Sequence, residues 1–386
     1  MNHFPKKLLS KLDKRKNENN FRQLSVAGTK SVDFFSNDYL GFSKSKELKK
    51  IKEKITRQYK LRQEGSTGAR LLSGNSKIAA ACEKQIAKFH HAQSALLFNS
   101  GYDANVGLLS SVALRGDLVL YDELCHASII DGMRLSFADN YKFRHNNVVH
   151  LERLLERHSA VSLSPTDGNT KHIYVVTESV FSMDGDNAPL KEIAEVCKKY
   201  KAHLIVDEAH ATGVFGKHGS GLCNELKIEA DCFARVYTYG KALGTHGAAV
   251  AGNKDLIDYL VNYARSFIYT TALPPASIAS IMASYTILQK SKEVKSLHGK
   301  INLFNKLSAN TTNKIKSHSA IHCFLVPGNE YAVKTSEALR KKKFDVRAIK
   351  SPTVKEGGER LRVCLHAFNT TKEIENLAKE LQKLFS

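Results

Sequence analysis

The chain has 386 residues, 42% of them hydrophobic, and a formal net charge of +20. That length suits one large domain with a smaller appendage, and that hydrophobic share excludes a disordered chain. Seven cysteines lie far apart with no CxxC pair, which argues against a disulfide framework or a zinc site and for thiols in a reducing compartment.

The first stretch, "MNHFPKKLLSKLDKRKNENN", reads as a charged helical arm reaching to about Ser31. It lacks the apolar core of an export signal. No run approaches the roughly 20 apolar residues of a membrane span, so a cytoplasmic protein without a membrane partner is expected. "VDFFSNDYLGFS" is strand-like and then breaks at Asn37, Asp38 and Gly41. The lysines of "KELKKIKEKITRQYK" leave an apolar helix face, and the basic residues of the chain are dispersed. Without a nucleic-acid-binding signature they read as a solvated surface, one suited to an anionic substrate such as an acyl thioester carrier. No nucleic-acid partner is expected.

From there to about residue 285 short apolar runs alternate with amphipathic stretches. "SALLFNSG", "DLVLYDE", "HIYVVTES", "AHLIVDEAH" and "ARVYTYG" read as strands, and segments such as "PLKEIAEVCKKYK" read as helices between them. This rhythm predicts an α/β fold whose mostly parallel sheet is covered by helices on both faces. Beyond about residue 290, a helical stretch "VKSLHGKINLFNKLSANTTNKIK" leads to short strands in "AIHCFLVPG", "FDVRAIKSPTV" and "ERLRVCLHAF", then a closing helix. The expected organisation is an N-terminal arm (1–45), a large domain (46–285) and a smaller α+β C-terminal domain (286–386).

Ligands of open α/β sheets sit beyond the carboxyl ends of the strands. Asp122, Glu178, Asp207 and Thr238 fall at such ends. In "FNSGYDANVGLL", Asn99, Ser100 and Gly101 join a strand to a helix whose N-terminus would seat a phosphate or simply carry an ordinary cap. His126 in "HASIIDG" opens another helix, Ser182 follows a strand in "TESVFSMDGD", and His210 lies three residues past Asp207 in "VDEAHATGV". Asp207, at the mouth of an apolar strand, needs a cationic partner, either a neighbouring arginine or a ligand. Lys241 sits in "TYGKALGTHGAAV", after a strand and among glycines. No phosphate-binding loop precedes it and no dinucleotide fingerprint accompanies it. A desolvated amine forms Schiff bases readily. Lysine, carboxylate and phosphate seat at the strand ends of one sheet together describe a site for pyridoxal 5′-phosphate.

These motifs, with "SNDYLG", "GSTGARLLSGN", "FIYTTALPP" and "SPTV", run through essentially the whole chain in order. It resembles the α-oxoamine synthases, fold-type I pyridoxal-phosphate enzymes of the aminotransferase-like fold. Their members condense an amino acid with an acyl thioester and release the amino-acid carboxylate as carbon dioxide. "VDEAHATGV", "TYGKALGTHGAAV" and "FIYTTALPP" are similar to the branch that joins L-alanine to a pimeloyl thioester, on coenzyme A or an acyl carrier protein, for biotin biosynthesis. Glycine- and serine-using branches are the rivals, and a basic binding protein with a degenerate site is the non-enzyme rival.

The resemblance implies that Lys241 carries pyridoxal 5′-phosphate covalently and moves the Cα proton. It implies that Asp207 faces the ring nitrogen, His126 stacks on the ring and His210 bonds its phenolic oxygen. Backbone groups of Gly101 and Tyr102 with Thr238 would seat the phosphate, with Ser182 nearby. Arg22 and Thr353 match substrate-binding positions. The family's homodimers share active sites, and Thr270 or Thr271 would reach the neighbour's phosphate. Where related synthases place an arginine before "x-P-T-V", this chain has Lys350. Lysine lacks the bidentate fork, so Lys350, Arg360 or Arg362 is left to grip the substrate carboxylate.

Overall fold

The computed structural model describes residues 4–24, 31–159 and 171–385. Helix α1 (Lys6–Asn17) and strand β1 (Val32–Asp33) come first. The arm helix thus stops at Asn17, short of the predicted end near Ser31, and residues 25–30 lie outside the described residues. Only two residues of "VDFFSNDYLGFS" are extended in a sheet, because the Asp33 carboxylate accepts the N–H groups of Phe35 and Ser36, both at 2.9 Å, and turns the chain.

The chain forms two compact units, one of residues 38–181 and 187–295, the other of residues 1–37, 182–186 and 296–386. In the first come α2 (Lys46–Gln58), α3 (Lys77–Phe89), β2 (Ser94–Phe98), α4 (Gly101–Val112), β3 (Leu118–Asp122), α5 (Ala127–Leu135), β4 (Asp139–Phe143) and α6 (Val148–Ser159). There follow β5 (Ile173–Glu178), α7 (Leu190–Lys199), β6 (His203–Asp207), α8 (Leu222–Leu226), β7 (Cys232–Thr238), β8 (Ala248–Gly252), α9 (Lys254–Tyr263), α10 (Arg265–Ile268) and α11 (Pro275–Leu288).

Seven strands make one sheet in the order β2-β8-β7-β6-β5-β3-β4. All neighbours run parallel except β8, which is antiparallel to both β2 and β7. Every residue of β5 is buried, as expected of a parallel strand covered on both faces. Two strands carried weak sequence signals. β4 is a largely exposed edge strand, and β8 is the alanine-rich "AAVAG" segment.

One face of the sheet packs Val176, Ile205 and Val236 against Leu108 and Leu109 of α4 and Ile129 of α5. Gly132 lets α4 and α5 touch: a Cβ there would lie 2.9 Å from the Asn105 carbonyl oxygen and 3.0 Å from Leu109 Cβ. Among the described residues, no helix is long and apolar enough to cross a membrane.

The remaining elements are α12 (Glu293–Leu307), β9 (Ile321–Leu325), α13 (Asn329–Lys341), β10 (Phe344–Asp345), β11 (Arg347–Ile349), β12 (Arg360–Cys364) and α14 (Thr371–Phe385). The helix predicted to run on through "SANTTNKIK" ends at Leu307, where β-branched and asparagine residues disfavour it. The predicted strand "FDVRAIKSPTV" divides into β10 and β11 and ends at Ile349, ahead of Pro352, which has no N–H for a ladder. β10 pairs with β1, and β11-β12-β9 form an antiparallel sheet. Alternation along β12 puts fully buried Leu361 and Val363 on one face and Arg360, Arg362 and Cys364 on the other.

Candidate active site

Four adjacent strands, β3, β5, β6 and β7, end at one rim with Asp122, Glu178, Asp207 and Thr238. Each does something different there. Asp122 is engaged by its own loop: it pairs with His145 Nδ1 at 2.9 Å and accepts the N–H groups of Leu124 and Asn146 at 2.9 and 2.8 Å. It organises the chain after β3.

Asp207 is buried, with Oδ1 accepting the Ala209 N–H at 2.9 Å and Oδ2 accepting Asn105 Nδ2 at 2.7 Å. Both oxygens thus serve as acceptors. Glu178 lies beside it in register on β5. Burial is the main cause that raises the Glu178 carboxyl, to about 8, with the neighbouring Asp207 charge adding to it; Lys241 and the His126 N–H oppose. That N–H donates to Glu178 Oε1 at 2.7 Å. Of these two adjacent carboxyl groups, Glu178 is therefore the one that holds its proton more tightly.

His126 is the N-cap of α5, its Nδ1 accepting from Ser128 N–H at 3.2 Å. Its basicity is lowered, first by burial and then by the Lys241 charge, while Asp207 and Asp131 pull the other way. Lys241 is half-buried in the turn after β7. That turn is tied down by Tyr239 N–H to Gly247 O at 3.0 Å, Thr245 N–H to Tyr239 O at 2.8 Å and Gly244 N–H to Lys241 O at 2.9 Å. His210 Nδ1 is 2.8 Å from the Tyr39 hydroxyl.

Past β8, at the end of β2, Ser100 caps α4 by accepting the Asp103 N–H, so Gly101 and Tyr102 occupy the first turn, whose N–H groups point out of the helix. Thr238 closes on them: a Cβ on Gly101 would lie 2.4 Å from Thr238 Cγ2. Thr238 Oγ1 is buried with no hydrogen-bond partner. A positive helix end beside an unsatisfied hydroxyl suits a phosphate. The Tyr102 side chain, by contrast, is exposed and donates to Asp131. Anion seat, lysine, acceptor carboxylate and a planar imidazole within one unit fit pyridoxal 5′-phosphate.

The other predicted residues belong to the second unit. Arg22 Nη2 donates to Thr353 Oγ1 at 3.3 Å, and Lys350 Nζ to Asn19 O at 2.9 Å. Arg360 is ion-paired with Asp184. Arg362 donates to Ser182 O at 2.7 Å, Asn37 Oδ1 at 3.0 Å and Cys364 Sγ at 2.9 Å. Those three contacts orient its guanidinium.

Sequence reasoning missed Asn105, Ser128 and Tyr39. A signal existed for two: Asn105 lies one helical turn past Gly101, and Ser128 lies two residues past His126, where a cap's acceptor meets the first-turn N–H groups.

The profile of the family described as aminotransferase class I and II matches residues 29–381. An 8-amino-7-oxononanoate synthase of Emericella nidulans is 42% identical over 377 residues, covering 93% of this chain and 90% of that protein. A solved structure of serine palmitoyltransferase with pyridoxal phosphate is 26% identical, with a TM-score of 0.86 over 98% of this chain and 96% of that one. The 8-amino-7-oxononanoate synthase from Francisella tularensis is 29% identical, with a TM-score of 0.76 over 92% of this chain and 98% of that one.

Proposed function

The chain belongs to the class I and II aminotransferase family, in its α-oxoamine synthase branch of pyridoxal-phosphate enzymes, and on that premise we propose that it condenses L-alanine with a pimeloyl thioester. Carbon dioxide and the free thiol would leave, and 8-amino-7-oxononanoate, a precursor of biotin, would remain. The observation that carries the reading is the rim of β5, β6 and β7, where Glu178, Asp207 and Thr238 stand side by side with Lys241 just beyond.

When bound, pyridoxal phosphate supplies an electron sink for negative charge at the substrate Cα. Asp207 would keep the ring nitrogen protonated, and the first turn of α4 with Thr238 Oγ1 would hold the phosphate. Lys241 Nζ would hold the aldehyde between turnovers, then take the alanine Cα proton and later return one. His126 would lie on the ring, and His210, braced by Tyr39, would meet the phenolic oxygen. A C–C bond forms between Cα and the acyl carbon as the C–S bond breaks; the carboxylate then departs as carbon dioxide. Ser182 belongs to this scheme through its carbonyl, which orients Arg362. We assign the grip on the substrate carboxylate to Arg362, whose planar fork suits a carboxylate better than the point charge of Lys350, with Arg22, Lys350 and Thr353 as further substrate contacts.

The enzyme would act as a homodimer in the cytoplasm. Thr270 Oγ1 and Thr271 O accept from Asn99 Nδ2 at 3.0 and 2.7 Å, which holds both threonines beside the start of α4. Purified protein with pyridoxal phosphate, L-alanine and pimeloyl-coenzyme A, or the pimeloyl carrier protein, should yield 8-amino-7-oxononanoate by mass spectrometry. Product from glycine or serine but not alanine would move the protein to another branch.

A further inference from the structure

Histidine is an uncommon helix cap. Short oxygen-bearing side chains dominate that position, yet here Nδ1 of His126 accepts the Ser128 N–H at 3.2 Å. A backbone amide only donates, so this nitrogen offers a lone pair and carries no proton. The Ser128 hydroxyl, 2.8 Å from the same nitrogen, must then donate to it. Its oxygen in turn accepts from Asn105 Nδ2 at 3.0 Å, and the second Asn105 amide hydrogen goes to Asp207 Oδ2 at 2.7 Å. Asn105, Ser128 and Asp207 are all buried, so each direction in this chain is set by what its neighbour can accept. On its other side, His126 donates its backbone N–H to Glu178.

We propose that Asn105 and Ser128 are positioning residues that tie Asp207 to His126 and hold the imidazole neutral, with its one proton on Nε2. The consequence for turnover rests on the functional reading above; the tautomer does not. A proton on Nδ1 would break the cap and force the hydroxyl bond to reverse, and a proton on both nitrogens would set an imidazolium beside Lys241. The charged groups facing His126 are Asp207 on β6, Lys241 after β7 and Asp131 on its own helix, with Glu178 on β5 meeting its backbone.

The test uses the holoenzyme with 15N-labelled histidine. In the wild type at pH 7, Nδ1 of His126, assigned by its loss in His126→Asn, should give the resonance of an unprotonated nitrogen, and Nε2 that of a protonated one. A proton on Nδ1 overturns the proposal without any variant that must fold. Ser128→Ala and Asn105→Ala should raise the proton affinity of His126 about tenfold, the scale of one buried hydrogen bond. They should shift the pH profile of the bound cofactor's absorbance and lower kcat more than they raise the KM for alanine. Ser128→Thr, which keeps the hydroxyl, should restore both. Variants that bind the cofactor and reproduce the wild-type profile and kcat would refute the positioning role. Wild-type protein that takes up no pyridoxal phosphate would instead refute the functional reading.

Discussion

Replacing Glu178 by glutamine should make the protein's stability less sensitive to alkali. Glu178 is buried at the end of β5 next to Asp207, and its carboxyl is raised from 4.5 to about 8, chiefly by burial. Between these values the folded chain holds a proton there that the unfolded chain has released. A folded-state value above the unfolded one means that the contribution to stability is complete below about pH 4.5 and is lost as the pH climbs through about 8. The slope is about 1.4 kcal/mol per pH unit, or roughly 4 kcal/mol across most of that window. Glutamine keeps an oxygen for the His126 N–H and has nothing to ionise. Urea unfolding of both proteins at pH 5.5, 6.5 and 7.5 should show the variant gaining on the wild type by about that slope. The infrared band of a protonated carboxyl, present in the wild type at pH 7, should be absent from the variant. A stability difference independent of pH, with no such band, would refute the reasoning.

Lys241→Ala should abolish the visible absorbance of the bound cofactor and lower turnover at least about a hundredfold, the scale of a lost general base; retained activity without added amine would count against the assignment. Thr238→Val, which replaces the unsatisfied hydroxyl by a methyl of similar size, should weaken cofactor affinity about tenfold as measured by dialysis and absorbance, and an unchanged affinity would remove Thr238 from the phosphate seat. Arg362→Lys should raise the KM for alanine by about tenfold or more, through loss of a bidentate contact. Arg360→Lys should change that KM much less, and the reverse ranking would pass the carboxylate to Arg360.

Local pattern made the centre of the sheet readable. "HLIVDEAH" places three apolar residues before a carboxylate, and the strand β6 ends on that carboxylate, Asp207. "FNSGYDAN" announces a cap and a helix start, and Ser100 and Gly101 occupy those positions. The edge of the sheet was harder to read. β4 buries only Phe143, so its short apolar and polar alternation carries little strand signal, and nothing in "AAVAG" says that β8 runs against its neighbours. Asn105 and Ser128 stayed hidden for a different reason. Asn105 meets Asp207 across 102 positions of chain, and a polar residue in a helix looks the same in sequence whether it faces water or a buried carboxylate. Likewise Tyr39 and His210 are 171 positions apart, and Arg360 and Arg362 share a strand face, yet only the folded chain shows that Arg360 meets Asp184.

The order of residue types along the chain determined where strands stop and helices start, and therefore which side chains stand at the rim: hydrophobic period, turn residues and caps act over a few positions and are written there. Tertiary structure alone decided which rim residues are charged, which are neutral and which are already engaged. Proton affinity depends on burial and on charges brought within a few ångströms, and those neighbours arrive from segments far away in sequence.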